Sequence, residues 1–398
     1  MQTKYTLTEQ DSFFLNVIRG IFDSDGSFEA KIYLGTDKPV SFHVNIIFPQ
    51  KDISVIEMIM DKLGYPAGSY ISPREHKLKS GNITHSNSKS IAFSNPAGQR
   101  LLTAWQENPP IAPTKFLDFQ ICLVLVQVNT LTALEVVNSL CPGHNLQDLR
   151  IASFALMHLR YQMFGKVKEN SNPNLLPIEE HYENLKATPY EIEQATFFGN
   201  LLYEPIYADF VRHVNNISIS NEAYFLGLHI GDGSFFFSTY FNEEGTSFKA
   251  GFGWDFSDCL QNKPLLEAVK QFLESKGIVF TKGAMKKFKN SIQLTLTTRS
   301  EIQKLTTFME NSGAREAFAN TLVRKNQFAL FIEAMQLYLD PSFRDDFEKC
   351  SRFIEIKWTM NPGTNYKKKG TFEEDQAKFK RWFSTKSEKK ERNRKKRE

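Results

Sequence analysis

Between residues 41 and 48 every second side chain is apolar (Phe42, Val44, Ile46, Phe48), with Ser41, His43, Asn45 and Ile47 between them. That period predicts a half-buried strand. Residues 27–35 alternate the same way, with Phe28, Ala30, Ile32 and Leu34 on one face. A short amphipathic helix follows over 53–63, carried by Val55, Ile56, Ile59, Met60 and Leu63. Two more strands are expected near 68–79 and 88–94, and helices over 96–106, 115–128, 131–140 and 148–164. The order then returns. Strands 234–242 (Phe235, Phe237, Thr239, Phe241) and 248–256 (Phe248, Ala250, Phe252, Trp254, Phe256) precede a helix over 264–276. Strands near 278–287 and 291–298 and helices over 299–311, 315–339 and 342–359 complete the second copy. The endings echo one another, Leu159-Arg160-Tyr161-Gln162-Met163 against Ile356-Lys357-Trp358-Thr359-Met360. The pattern predicts an α+β chain of two αββαββα repeats, each an antiparallel sheet covered by helices on one side.

The two copies share a motif just before their first strands. Residues 15–28 read Leu-Asn-Val-Ile-Arg-Gly-Ile-Phe-Asp-Ser-Asp-Gly-Ser-Phe, and residues 223–235 read Ala-Tyr-Phe-Leu-Gly-Leu-His-Ile-Gly-Asp-Gly-Ser-Phe. Each is a helix-like apolar segment with a glycine in mid-run and an aspartate before Gly-Ser-Phe. Glycine inside a helix costs about 1 kcal/mol against alanine. A repeated one implies the close approach of another backbone. Helices crossing at Gly20 and Gly227 would emerge side by side and bring Asp25 and Asp232 together. Carboxylates so placed repel unless a cation lies between them.

Composition narrows the class. The chain has 398 residues, 41% of them apolar and 35 of them phenylalanine, which excludes wholesale disorder. No stretch of about 18 apolar residues lacks charge, so no membrane span is expected. The start, Met1-Gln2-Thr3-Lys4, has neither signal-peptide nor transit-peptide character. The four cysteines (Cys122, Cys141, Cys259, Cys350) lack metal-ligand spacing and suit buried thiols in a reducing compartment. The net charge of +4 is unevenly spread. Residues 366–398 carry 14 Lys/Arg against 6 Asp/Glu, so the body of the chain is slightly acidic. This basic run is expected to be a disordered tail. Residues 166–219 interrupt the duplication with an acidic insert, in which Thr188-Pro189-Tyr190-Glu191 predicts a helix start.

The doubled motif resembles the LAGLIDADG family of homing endonucleases and intron maturases, in its single-chain, two-repeat branch. Residues 18–26 and 225–233 fit the nine-letter signature, except that Ile230 stands where the first copy has Asp23. Four segments follow: a first repeat over 1–165, the insert 166–219, a second repeat over 220–365 and the tail 366–398. The resemblance implies that the two helices form the interface between repeats and that the sheets make a saddle over the DNA major groove. It implies Asp25 and Asp232 as ligands of divalent metal, Mg²⁺ or Mn²⁺. Gln50 fits a second active-site position just after the second strand. In the other copy Asp258 or Gln261 fits, and Lys115 and Lys325 are candidates for a basic residue near the start of a later helix.

Hydrolysis of a phosphodiester needs an activated water, relief of charge on the phosphate oxygens and support for the leaving oxygen, all within reach of carboxylate-held cations. The resemblance places DNA contacts on outward strand positions. The candidates are Lys31, Tyr33, His43, Asn45, Arg74, Lys77, Lys79, Lys89, Lys282, Lys286, Lys287, Gln293 and Thr295. It therefore implies a monomeric, site-specific double-strand DNA endonuclease. An intron-RNA-binding maturase on the same fold and a non-catalytic DNA-binding protein are the rivals. An intracellular setting is expected, and the Phe/Asn/Lys-rich composition points to an organelle genome.

Overall fold

The structure, a computed structural model, describes residues 9–33, 40–64, 72–77, 83–93, 97–164, 178–241, 247–319, 321–360 and 371–395. The first repeat runs α1 (Glu9–Asp25), β1 (Ser27–Tyr33), β2 (Ser41–Gln50), α2 (Ile53–Lys62), β3 (Ser72–Lys77) and β4 (Ile83–Phe93). It continues with α3 (Ala97–Glu107), α4 (Pro113–Gln127), α5 (Ala133–Leu140) and α6 (Leu149–Phe164). The insert supplies α7 (Ile178–Asn184) and α8 (Pro189–Asn215). The second repeat opens with α9 (Glu222–Asp232), β5 (Gly233–Phe241), β6 (Phe248–Cys259), α10 (Lys263–Ser275), β7 (Met285–Lys287) and β8 (Ser291–Leu296). It closes with α11 (Arg299–Asn311), α12 (Ala314–Phe318), α13 (Leu322–Leu339) and α14 (Phe347–Thr359), and the tail supplies α15 (Phe372–Lys395).

Two antiparallel sheets result, in the orders β1-β2-β4-β3 and β5-β6-β8-β7. Their registers match. Ser27 pairs with Ile47 and Gln50 with Lys89 in one sheet, and Ser234 with Asp255 and Asp258 with Ile292 in the other. Gln50 and Asp258 therefore occupy the same place in the two sheets, whereas Gln261 is exposed beyond the strand. Inward alternation buries Phe42, Val44, Ile46 and Phe48 under the helices of the first repeat, and Phe252, Trp254 and Phe256 under those of the second. Each such side chain contributes about 2–3 kcal/mol of burial.

Helices α1 and α9 lie against each other at their glycines. A Cβ built on Gly20 would stand 2.6 Å from Leu228 N and 2.9 Å from Gly227 C, and one on Gly227 would stand 3.0 Å from Gly20 Cα. Only residues without side chains allow backbones this close. The echoed endings also correspond in space, since Arg160 Nε donates to Ala30 O on β1 (2.8 Å) and Lys357 Nζ to Thr239 Oγ1 on β5 (2.7 Å).

Three expectations are corrected. The helix expected over 315–339 is divided in two, α12 ending at Phe318 and α13 starting at Leu322 after Thr321. The strand expected over 278–287 shrinks to Met285–Lys287, because Ile278 and Phe280 turn into the core instead of pairing. The basic tail is not disordered over 372–395. Helix α15 is held by buried Phe379 and Trp382, with Trp382 and Phe248 ring centroids 5.3 Å apart. The insert helix begins where its capping box predicts, Thr188 and Glu191 exchanging both hydrogen bonds. The four cysteines are unpaired, three of them buried. Among the described residues no helix is long and apolar enough to cross a membrane.

Candidate active site between the repeats

Helices α1 and α9 deliver Asp25 and Asp232 to one place. Ser24 Oγ donates to Leu228 O across the interface (3.1 Å), and Asp25 Oδ2 lies 3.5 Å from where a Cβ on Gly231 would stand. Gln50, at the end of β2, donates its Nε2 to Asp25 Oδ2 (2.7 Å). Its counterpart Asp258 is held by Asn262, whose Nδ2 donates to Asp258 Oδ2 (3.0 Å), and by the Cys259 backbone N–H (2.6 Å).

Two basic side chains close the site. Lys115, in the first turn of α4, donates its Nζ to Gly26 O. Arg324, in the first turn of α13, donates Nε to Ile230 O (2.9 Å), Nη2 to Gly231 O (2.7 Å) and Nη1 to Gln327 Oε1 (3.0 Å). Lys325 was the expected partner of Lys115, but it faces solvent and Arg324 takes that place. Arg324 is the third residue of its helix, as Lys115 is of α4. A sequence signal existed, the threonine before Leu322-Val323-Arg324, but the helix expected over 315–339 ran straight across it.

The electrostatics are those of crowded carboxylates. Burial, then the Asp25 charge, then Asp258 hold the Asp232 carboxyl well above its ordinary range, opposed by Arg324 and Lys115. Burial likewise raises Asp25 against the Gln50 hydrogen bond and the charges of Arg324, Lys115 and Lys51. It raises Asp258 against its bonds to Asn262 and Cys259. Such a set is short of positive charge. Its donors are all oxygen and it is partly shielded from water, which fits a hard divalent cation. Among the described residues no three or more His, Cys, Asp or Glu side chains are arranged to hold an ion alone. Water and ligand oxygens would have to complete the coordination of an ion held by Asp25 and Asp232.

The sixth motif position differs between repeats. Asp23 is fully buried and accepts from Tyr224 Oη and from Ile111 N (both 2.6 Å), tying α1 to α9 and to the approach to α4. Burial pushes its carboxyl up to about 6. Ile230 offers no such acceptor, and there Arg324 holds the end of α9. His229 is buried against Phe235 and Phe318 and accepts from Trp254 Nε1 at its Nδ1 (3.0 Å), so it is a packed core histidine. The insert buttresses the site from behind. His213 on α8 donates Nε2 to Ile111 O (2.9 Å) and stacks on Phe116 at 3.8 Å, one residue from Lys115.

On the outward faces of the sheets, Lys31 and Tyr33 are exposed, with His43 edge-on to Tyr33 at 6.2 Å. Asn45 is buried on that face and donates to Glu29 Oε2 (3.0 Å). Lys282, Lys286 and Lys287 are exposed. Gln293 donates to Asp255 Oδ2 (2.8 Å), and the Thr295 hydroxyl is buried with no hydrogen-bond partner among the described residues. Arg74, Lys77 and Lys89 sit on β3 and β4, and Lys79 lies outside the described residues.

No protein-family model and no curated protein matches the sequence. Solved structures do match the fold. The I-LtrWI LAGLIDADG homing endonuclease bound to target DNA is 13% identical with a TM-score of 0.54, over 88% of this chain and 98% of that one. The LAGLIDADG meganuclease I-CpaMI bound to uncleaved DNA is 14% identical with a TM-score of 0.53, over 87% and 99%. The I-SmaMI LAGLIDADG homing endonuclease bound to cleaved DNA is 15% identical with a TM-score of 0.51, over 88% and 97%. At these identities the likeness is one of fold, and it spans nearly the whole of each matched chain.

Proposed function

Starting from a chain that has the fold of single-chain LAGLIDADG homing endonucleases, we propose that it is a monomeric, site-specific, divalent-metal-dependent DNA endonuclease. The observation that carries the reading is the meeting of Asp25 and Asp232, delivered by two sequence repeats to one buried place flanked by Lys115 and Arg324. A structural carboxylate pair would bring its own compensation. This one is left with an excess of negative charge that divalent cations would balance, and those cations would in turn attract a phosphate.

Asp25 and Asp232 would hold the metal, Mg²⁺ or Mn²⁺. Such ions supply an activated water and relieve charge on the phosphate oxygens when bound. Gln50 fixes the Asp25 carboxylate through its amide, and the amide oxygen remains to orient a water. Asp258 stands at the corresponding place in the second repeat and can accept a proton there, its affinity being already raised by burial. Lys115 and Arg324 offset the charge that develops on the phosphate and the departing oxygen. One set per repeat accounts for two cut strands from one chain. The outward faces of the two sheets, with Lys31, Tyr33, His43, Lys282, Lys286 and Lys287, would form the groove-reading surface.

The test is to incubate the purified protein and Mg²⁺ with a randomised duplex library and to sequence the ends. Recurrent staggered breaks at one sequence, lost in Asp25→Asn and Asp232→Asn, are expected. Breaks no more frequent than with those variants would overturn the reading. Tight binding without cleavage would point to a DNA-binding protein, and preference for folded intron RNA to a maturase.

A further inference from the structure

We propose that the repeats are cross-wired: Asp52, Ser54 and Asn262 are positioning residues, each setting the basic side chain carried by the other repeat. This rests on the endonuclease reading above and adds which residues couple the two cuts.

Helices α4 and α13 begin without caps of their own. Ala112 precedes α4 and has no side chain able to accept, while Thr321 precedes α13 and donates its hydroxyl backwards to Phe318 O (2.9 Å). The first N–H groups of a helix have no intrahelical acceptor and need one from elsewhere. Here the acceptors come from the opposite repeat. Leu322 N donates to Ser54 Oγ (2.8 Å) and Val323 N to Asp52 Oδ2 (2.9 Å). Arg324 is the next residue.

Asp52 is itself locked by its second oxygen, which accepts from Ser54 N (3.1 Å) and Ser54 Oγ (2.6 Å) as the cap of α2. On the other side Asn262 Oδ1 accepts from Thr114 N (3.3 Å) and Thr114 Oγ1 (3.2 Å), and Lys115 is the next residue. The same Asn262 amide holds Asp258 (3.0 Å). Ser54 and Asn262 are both buried, so water does not compete for these bonds.

The turn after the long strand thus does two things in each repeat. It follows directly on that repeat's own Gln50 or Asp258 at the strand end, and it fixes the helix start from which the other repeat's Arg324 or Lys115 reaches the carboxylates. A chain of this design cannot set one cleavage centre without the other.

The experiment measures single-turnover nicking of each strand separately in Ser54→Ala, Asn262→Ala, Arg324→Ala and Lys115→Ala, with DNA affinity measured alongside. Loss of a cap is expected to slow cleavage about tenfold while changing the DNA Kd by less than about twofold. The strand slowed most by Ser54→Ala should be the one slowed most by Arg324→Ala, and the strand slowed by Asn262→Ala should follow Lys115→Ala. Ser54→Thr keeps the hydroxyl and should restore the rate. Strand effects that follow Gln50→Ala for Ser54 and Asp258→Ala for Asn262, or nicking unchanged on both strands, would overturn the cross-wiring. Amide hydrogen exchange gives a readout independent of activity: Leu322 and Val323 should lose protection in Ser54→Ala, and unchanged protection would overturn the proposal. A wild-type protein that cuts neither strand would overturn the endonuclease reading instead, and the exchange result would still decide the capping.

Discussion

Replacing Gly20 by alanine tests the central crossing with the smallest possible change. The added methyl would stand 2.6 Å from Leu228 N and 2.9 Å from Gly227 C, and closer still to Tyr224 O. All three are backbone atoms, so no side chain can swing away. Ordinary contact begins near 3.4 Å, so clearing Tyr224 O, the nearest of the three, requires α9 to retreat by about 1.2 Å. Overpacking of this kind costs about 1–3 kcal/mol, and a rigid backbone neighbour puts the site at the upper end. Alanine recovers about 1 kcal/mol of helix propensity, which leaves a net loss of about 2 kcal/mol. Gly227→Ala presses the same contact from the other side, toward Val17 C and Gly20 Cα (2.9 and 3.0 Å). Once one methyl has parted the helices the second costs little, so the double variant should lose less than the two single losses combined. Urea unfolding of the three variants measures this. The same retreat carries Asp232 away from Asp25, and a misplacement of about 1 Å can slow an enzyme about 100-fold. Single-turnover cleavage should therefore fall further than stability does. A Gly20→Ala protein more stable than wild type by its helix propensity, and equally active, would show that the helices do not meet there.

Arg324→Ala should slow cleavage and lower stability, because it leaves Ile230 O and Gly231 O without their donor. Lys325→Ala, at an exposed position, should stay within about 0.5 kcal/mol of wild type, and denaturation of the pair decides between them. A carboxyl held above its ordinary range stabilises the fold while protonated. The contributions of Asp25, Asp232 and Asp258 are therefore fully present below about pH 4 and are lost as pH rises through their folded-state values. Asp23 and Asp255, pushed up to about 6, follow the same sign. Cations bind the deprotonated form, so the melting-temperature gain from Mg²⁺ over chelator should grow as pH rises above the ordinary carboxylate range and vanish in Asp232→Asn. A gain that is flat with pH would contradict this. Lys286→Ala or Lys287→Ala should weaken DNA binding at every sequence and reduce the salt slope by about 0.9 each, as fluorescence titrations at several salt concentrations would show.

What the sequence could disclose and what it could not divides along physical lines. The repeated glycine disclosed the crossing because a helix tolerates that residue only for a reason, and the strand periods disclosed both sheets because each buries one face. The place of Gln50 came from the family resemblance, applied at the end of the second strand, and the shared register now gives Asp258 the same position. Features that depend on pairing between distant segments were hidden. Ser54 and Asn262 look like ordinary turn residues until the opposite repeat's helix is brought to them. In the tail the charge run masked Phe379, Trp382 and Phe383, whose three- and four-residue spacing is that of a packed helix face. The exchange of Asp23 for Ile230 is the most instructive case. The first repeat anchors the end of its motif helix region with a buried acid that accepts from Ile111 and Tyr224, and the second uses a basic side chain donating to Ile230 and Gly231 carbonyls. A basic side chain donates to the end of the motif in both repeats, Lys115 to Gly26 O and Arg324 to Gly231 O, and the buried acid is an addition of the first. That is why a backbone-level reading carries over from one repeat to the other, and why the identity of the basic residue had to come from the structure.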